Sequence, residues 1–125
     1  MKIIVCGPRG WNDYETCKKE LDSRITQDDT VLTGDAPGTD WMACIYSRQV
    51  LGKEPFIGEA DWKRYGDLAG PIRNNALARM ADKCIAFQPL GNVTKGTQDM
   101  IKKCRMLDVP VEIVRYMPQG GERCY

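Results

Sequence analysis

Arginine, aspartate and glycine gather at a few points of this sequence, each just after a short apolar run, and those points are where chemistry is expected. Arg9 stands between Gly7 and Gly10 in Cys6-Gly7-Pro8-Arg9-Gly10-Trp11, directly behind Ile3-Ile4-Val5. Glycines there permit tight turns with free N–H groups, and a guanidinium supplies a fixed positive charge, a combination suited to an anion. Gly34, Asp35 and Asp40 follow Val31-Leu32-Thr33; Asp61 and Trp62 lie in a long connection; Arg73 and Asn74 follow Gly70-Pro71; Gly96-Thr97 opens an amphipathic stretch that carries Asp99. Trp11, Trp62 or Tyr65 offers a ring for stacking on a planar ligand group. The chain has no histidine and its six cysteines form no Cys-x-x-Cys pair, which removes the usual zinc ligand sets and histidine-based triads. No metal or cofactor is expected. Acid and base work falls to carboxylates, tyrosine, lysine or cysteine.

Two function classes are in view, their ligand type and reaction being what the family resemblance described below implies. One is a binding module in which Arg9, Arg73, Asn74 and the Gly96-Thr97 helix start hold a nucleotide-type anion. The other is a glycosidic-bond hydrolase that uses Asp35, Asp40, Asp61 or Asp99 to stabilise an oxocarbenium-like transition state. Binding is the favoured class.

The elements that must position these residues alternate strand and helix five times. Lys2-Ile3-Ile4-Val5-Cys6 is an unbroken apolar run, as in a strand buried on both faces of a parallel sheet. Asn12 followed by Glu15 resembles a capping pair, and Tyr14, Cys17, Leu21 and Ile25 recur at helical spacing. Strand two is Thr30-Val31-Leu32-Thr33; Thr39 is placed to cap the apolar helix 41–51, which Gly52 closes. Pro55-Phe56-Ile57 reads as an edge strand. Residues 58–70 form a connection long enough to act as a lid or wall, with a short helix as the plain alternative. Pro71 suits the first helical position, with Arg73 and Asn74 in the first turn and Ile72, Ala76, Leu77 and Met80 as the apolar stripe. Lys83-Cys84-Ile85-Ala86-Phe87 is strand four. Thr97 is placed to cap a last helix with core face Met100, Ile101, Cys104 and Leu107, and residues 110–114 complete the sheet.

Right-handed crossovers put these units into an α/β three-layer Rossmann-like sandwich with a five-stranded parallel sheet in the order 3-2-1-4-5. One domain spans residues 1–114, and residues 115–125 read as a tail. All post-strand loops then open on the carboxyl edge of the sheet. Eighteen basic residues against seventeen acidic ones leave a formal charge of +1, so any anion must be held locally and no nucleic-acid polymer is expected as a partner. No signal-like segment and no membrane-length apolar stretch is seen, which predicts a cytoplasmic protein without membrane contact. Its cysteines then read as reduced, five of them buried and Cys124 exposed. Oligomeric state is open, a homo-oligomer included.

Cys6-Gly7-Pro8-Arg9-Gly10-Trp11, Thr33-Gly34-Asp35-Ala36-Pro37-Gly38-Thr39-Asp40, Ala60-Asp61-Trp62, Tyr65-Gly66, Ala69-Gly70-Pro71-Ile72-Arg73-Asn74 and Lys95-Gly96-Thr97-Gln98-Asp99-Met100 together resemble the SLOG superfamily. The likeness is to its stand-alone YspA-like branch, the DUF2493 domain, over residues 1–114. It implies a small Rossmann-like domain that binds a nucleotide or nucleotide-derived ligand, in some members as a sensor in bacterial and phage conflict systems. The LOG phosphoribohydrolases of that superfamily carry Pro-Gly-Gly-x-Gly-Thr-x-x-Glu with a catalytic glutamate. Matching Gly96-Thr97 to that Gly-Thr puts Met100 at the glutamate position. Asp99 is the neighbouring carboxylate and the candidate catalytic residue, but one residue turns a helix by about 100°, away from the core face.

Overall fold

The computed structural model of the protein describes residues 1–91 and 93–118. Strands β1 (Lys2–Cys6), β2 (Thr30–Gly34), β3 (Phe56–Gly58), β4 (Lys83–Pro89) and β5 (Val111–Tyr116) pair in parallel in the order β3-β2-β1-β4-β5. Between them run α1 (Tyr14–Asp22), α2 (Thr39–Tyr46), α3 (Trp62–Tyr65), α4 (Ala69–Met80) and α5 (Lys95–Met106). A π-helical turn (Ser47–Leu51) follows α2 and a 3-10 turn (Gly66–Leu68) leads into α4. This is the three-layer α/β sandwich and strand order that the apolar runs predict, with β3 on an edge as Pro55 requires.

The central strands explain the layering. Ile3, Val5, Ile85 and Phe87 point to the face covered by α1 and α2, while Ile4, Cys6, Cys84 and Ala86 point to the face covered by α4 and α5. A strand buried on both faces has no place for alternating polar residues, so its sequence is a continuous apolar run. Cys6, Cys17, Cys44, Cys84 and Cys104 are all buried and unbridged; Cys124 lies outside the described residues. Among the described residues no helix is long and apolar enough to cross a membrane.

Several local expectations are corrected. Asp13, not Asn12, caps α1: its carboxylate accepts from the Thr16 N–H at 3.2 Å and from Thr16 Oγ1 at 2.6 Å. Thr39 and Thr97 lie inside their helices rather than at the caps, which are Gly38 and Thr94. Helix α4 begins at Ala69, so Pro71 is its third residue and Arg73 and Asn74 fall in the second turn. Its buried side is Gly70, Asn74, Leu77 and Ala78, leaving Ile72 and Ala76 outside. Leu107 is exposed because α5 stops at Met106. The long connection is the short helix α3 followed by the 3-10 turn.

The largest correction concerns Trp11 and the end of the sheet. Strand β5 continues to Tyr116, two residues beyond the expected boundary at residue 114. Tyr116 is buried and its ring stacks on Trp11 at 4.0 Å and 15°, with Phe87 tilted against the same indole at 4.9 Å. Trp11 is therefore a core residue, 1% exposed, and cannot stack on a ligand. The remainder of the expected tail, from residue 119, lies outside the described residues.

Because the Trp11 Nε1–H has no hydrogen-bond partner among the described residues, the ring and not its donor is what the core uses. Trp11→Phe is expected to cost under about 1.5 kcal/mol and Trp11→Ala about 3–5 kcal/mol in urea denaturation. Equal losses for the two would contradict this packing role.

Candidate functional site

A cleft of about 830 Å³ opens at the carboxyl edge of the sheet, between the loop after β1, the α3–α4 segment and the first turns of α5. That size and mixed lining suit a ligand the size of a nucleotide. Two zippered loops form its back. The Pro8 carbonyl accepts from the Thr39 N–H at 3.2 Å and from Thr39 Oγ1 at 2.9 Å, tying the β1 loop to the start of α2. Gly38, at φ 77°, and Gly7 allow this approach: a Cβ on Gly38 would fall 2.6 Å from the Pro8 carbonyl, and one on Gly7 would fall 2.6 Å from Thr39 Oγ1.

At the base of the site a polar chain links three elements. Arg73 Nη1 donates to Asp35 Oδ1 at 2.9 Å, and Arg73 Nε donates to Asn74 Oδ1 at 2.9 Å. Asn74 Nδ2 donates to Asp99 Oδ2 at 2.9 Å, and Lys103 Nζ donates to Asp99 Oδ1 at 2.6 Å. Arg73 thus lines the cleft as a paired charge, its side chain only 10% exposed. The free cation expected at the start of α4 is not there. Arg9, Lys95 and Lys102 supply that charge instead: all three line the cleft and none is ion-paired among the described residues.

Asp40 is the buried acid of the site. Burial pushes its carboxyl up to about 6, against the opposing pull of Arg73. Its hydrogen bonds oppose that rise: Thr33 Oγ1 donates to Asp40 Oδ1 at 3.0 Å and the Ala36 N–H donates to Asp40 Oδ2 at 3.2 Å, both favouring the charged carboxylate. Gly34 makes room for the arrangement, since a Cβ there would collide with Arg73 Nη1 and with Asp40 Oδ2 at 2.6 Å. Burial likewise raises the Cys44 thiol and pushes Cys17 up to about 12, so neither is an activated nucleophile.

Trp62 forms a wall. Its ring faces the Arg9 guanidinium at 5.7 Å, and its far edge sits where a Cβ on Gly70 would lie, 3.2 Å away. Half of the indole surface stays exposed. At the opposite wall α5 begins without a side-chain cap, so the N–H groups of its first turn keep their donors free of one. Gly96 lies in that turn, and a Cβ there would meet nothing within 4 Å.

Of the residues predicted from sequence, Gly7, Arg9, Asp40 and Trp62 line the cleft, as do Arg73, Asn74, Gly96, Thr97 and Asp99. Four do not. Trp11 is in the core. Gly34 and Asp35 stand behind Arg73, and Asp61 caps α3 by accepting from the Arg64 N–H at 3.1 Å. Tyr65 is also outside the cleft lining, its ring beside Arg64. Sequence reasoning missed Lys95, Lys102 and Gln98. The signal was present, because Lys95 and Lys102 are two helical turns apart and Gln98 falls between them on the same side.

No family model matches the chain, and no solved structure matches it. The chain is similar to the Gene 61 protein of Mycobacterium phage D29, 29% identical over 118 residues, which covers 88% of this chain and 93% of that protein. That name specifies no ligand and no reaction.

The Asp40 environment has a consequence for stability. A carboxyl raised from 3.8 to about 6 in the folded state contributes its stability fully below about pH 4 and loses it as pH rises through about 6. The loss attributable to this group is about 3 kcal/mol. Asp40→Asn is expected to abolish that part of the fall in unfolding free energy between pH 4 and 7, measured by denaturant titration at each pH. An unchanged pH profile in the variant would show that Asp40 is ionised in the native protein throughout.

Proposed function

We propose that this chain is an SLOG-type ligand-binding domain whose cleft holds a nucleotide or nucleotide-derived small molecule, with a phosphate at the first turn of α5 and a base or sugar against Trp62. The observation that carries this reading is Gly96. Gly96 is the second residue of α5, and neither a positive φ nor a neighbouring atom demands glycine there. A missing side chain in the lining of a cleft lets a ligand approach the backbone N–H groups closely. Arg9, Lys95 and Lys102 surround that approach with unpaired positive charge, while Asp99 is held by Lys103. The protein's small net charge makes such local attraction the available route for an anion. A signalling nucleotide of a bacterial or phage conflict system is the ligand class the family resemblance points to.

One observation favours a second reading, cleavage of an N-glycosidic bond: Asp40 is a buried acid in the cleft with its carboxyl raised to about 6, within range for proton transfer near neutrality. Against it, Met100 stands where the LOG enzymes carry their glutamate and is 3% exposed, packed in the core beneath α5. Asp99 is bonded on both oxygens. Binding without turnover is the better-supported reading.

Calorimetry against a panel of nucleoside mono- and diphosphates tests the binding site. Gly96→Ala is expected to leave the melting temperature unchanged or slightly raised while weakening the bound nucleotide by about tenfold or more. A folded parent protein that binds no member of the panel, or a Gly96→Ala protein that binds as tightly as the parent, would reject the site as placed.

Chromatography of the same mixtures tests turnover, and no free base is expected from nucleoside monophosphates. Release of base in proportion to protein, lost in Asp40→Asn or Asp99→Asn variants that still bind, would replace the binding reading with the hydrolytic one.

A further inference from the structure

We propose that a second crevice, formed by α5 with the carboxyl ends of β4 and β5, is a binding site for a small organic anion: a phosphate or carboxylate head on an apolar or aromatic body. It is independent of the reading given to the main cleft, although Gln98 and Lys102 line both. The crevice measures about 640 Å³.

Strand alternation builds it. On the α5 side of the sheet, β4 presents Cys84, Ala86 and Gln88 in turn, and β5 presents Val111, Ile113 and Arg115. The parallel register sets Cys84 beside Val111, Ala86 beside Ile113 and Gln88 beside Arg115. The first two pairs are apolar and pack in the core under α5. The third pair is polar, at the point where the sheet face emerges.

Gln88 is the telling residue. It is 3% exposed, yet its carboxamide makes no hydrogen bond among the described residues, and it lines the crevice. Its amide oxygen and nitrogen are not among the fully buried unpartnered atoms of the described residues, so the crevice leaves them open to water or to a ligand. Over it stand Lys102 and Arg105 from α5 and Arg115 from β5, none of them ion-paired among the described residues, and no carboxylate lines the space. Ile101, Met106 and Ile113 supply apolar walls. Three unpaired cations select an anionic head, the apolar walls select the body behind it, and the carboxamide both donates to and accepts from a polar group on the ligand.

NMR titration of the full chain with phenyl phosphate, benzoate and inorganic phosphate tests this, reading the Gln88 side-chain amide and the Arg115 Nε–H signals. Phenyl phosphate or benzoate is expected to shift both signals saturably, the tighter of the two identifying the head group, with inorganic phosphate weaker by about tenfold. Arg115→Gln, at an exposed position, is expected to weaken the tighter probe by about tenfold. Gln88→Leu is expected to weaken it too, because the carboxamide that would bond the ligand's polar group is lost. The assignment is overturned by any of three results: no saturable shift at Gln88 with either organic probe, inorganic phosphate binding as tightly as both, or unchanged affinity in Arg115→Gln. Unchanged affinity in Gln88→Leu would overturn it equally.

Discussion

The carboxyl edge of this protein depends on where Arg73 spends its hydrogen bonds. Its guanidinium is nearly buried and faces Asp35 at 2.9 Å, with Asp40 close enough to crowd Gly34 from the other side. A charge in that position must be compensated, because an unpaired buried ion costs several kcal/mol even after local relaxation. The second bond, from Nε to Asn74 Oδ1, decides which way the Asn74 amide points, and so aims its Nδ2 at Asp99 on α5. One residue thereby couples the β2 loop to α4 and α4 to the first turns of α5. The cleft is the space left above that chain of bonds, and its position follows from them.

Much of this was legible in the chain itself. Ile3-Ile4-Val5 and Cys84-Ile85-Ala86-Phe87 announce strands covered on both faces, and with right-handed crossovers the strand order follows. Glycine and proline behind each strand place the loops on one edge. What was not legible is what side chains do once there. Asp35 and Asp61 follow strand ends and Arg73 lies near a helix start, the same pattern as a ligand-binding residue, yet each satisfies a neighbour: an ion pair for Asp35 and Arg73 and a helix cap for Asp61. Trp11 failed for a long-range reason. Its partner Tyr116 is over 100 residues away in sequence and sits in a segment without periodicity. A stacked pair of that separation leaves no local signature.

Glycine separates fold from site better than charge does. At Gly7 and Gly38 an added Cβ would strike Thr39 Oγ1 or the Pro8 carbonyl at 2.6 Å, so packing favours glycine there, while at Gly34 it would displace the side-chain ends of Arg73 and Asp40. Gly7 also lines the cleft. At Gly96 the same construction meets open space, and the conformation is ordinary helix. The fold gains nothing from glycine there. A glycine that eases no contact within the fold is best explained by what approaches from outside, which is why Gly96 bears more weight in the functional reading than the paired Arg73.

Helix α5 is the wall common to both crevices, and its residues are shared unequally. Lys95, Gly96 and Asp99 face the main cleft, Arg105 and Met106 the second, while Gln98 and Lys102 line both. On the readings proposed for the two crevices, Lys102 carries one positive charge for two anionic ligands. Whichever site draws its ammonium group closer leaves the other with less compensation, and two bound anions on either side of one helix also repel directly. Linkage makes the effect mutual: each ligand lowers the other's affinity by the same factor. Arg9 and Lys95 belong to one site and Arg105 and Arg115 to the other, so each retains enough charge to bind alone. On those readings the arrangement favours one anion at a time, with Lys102, which lines both spaces, as the shared charge.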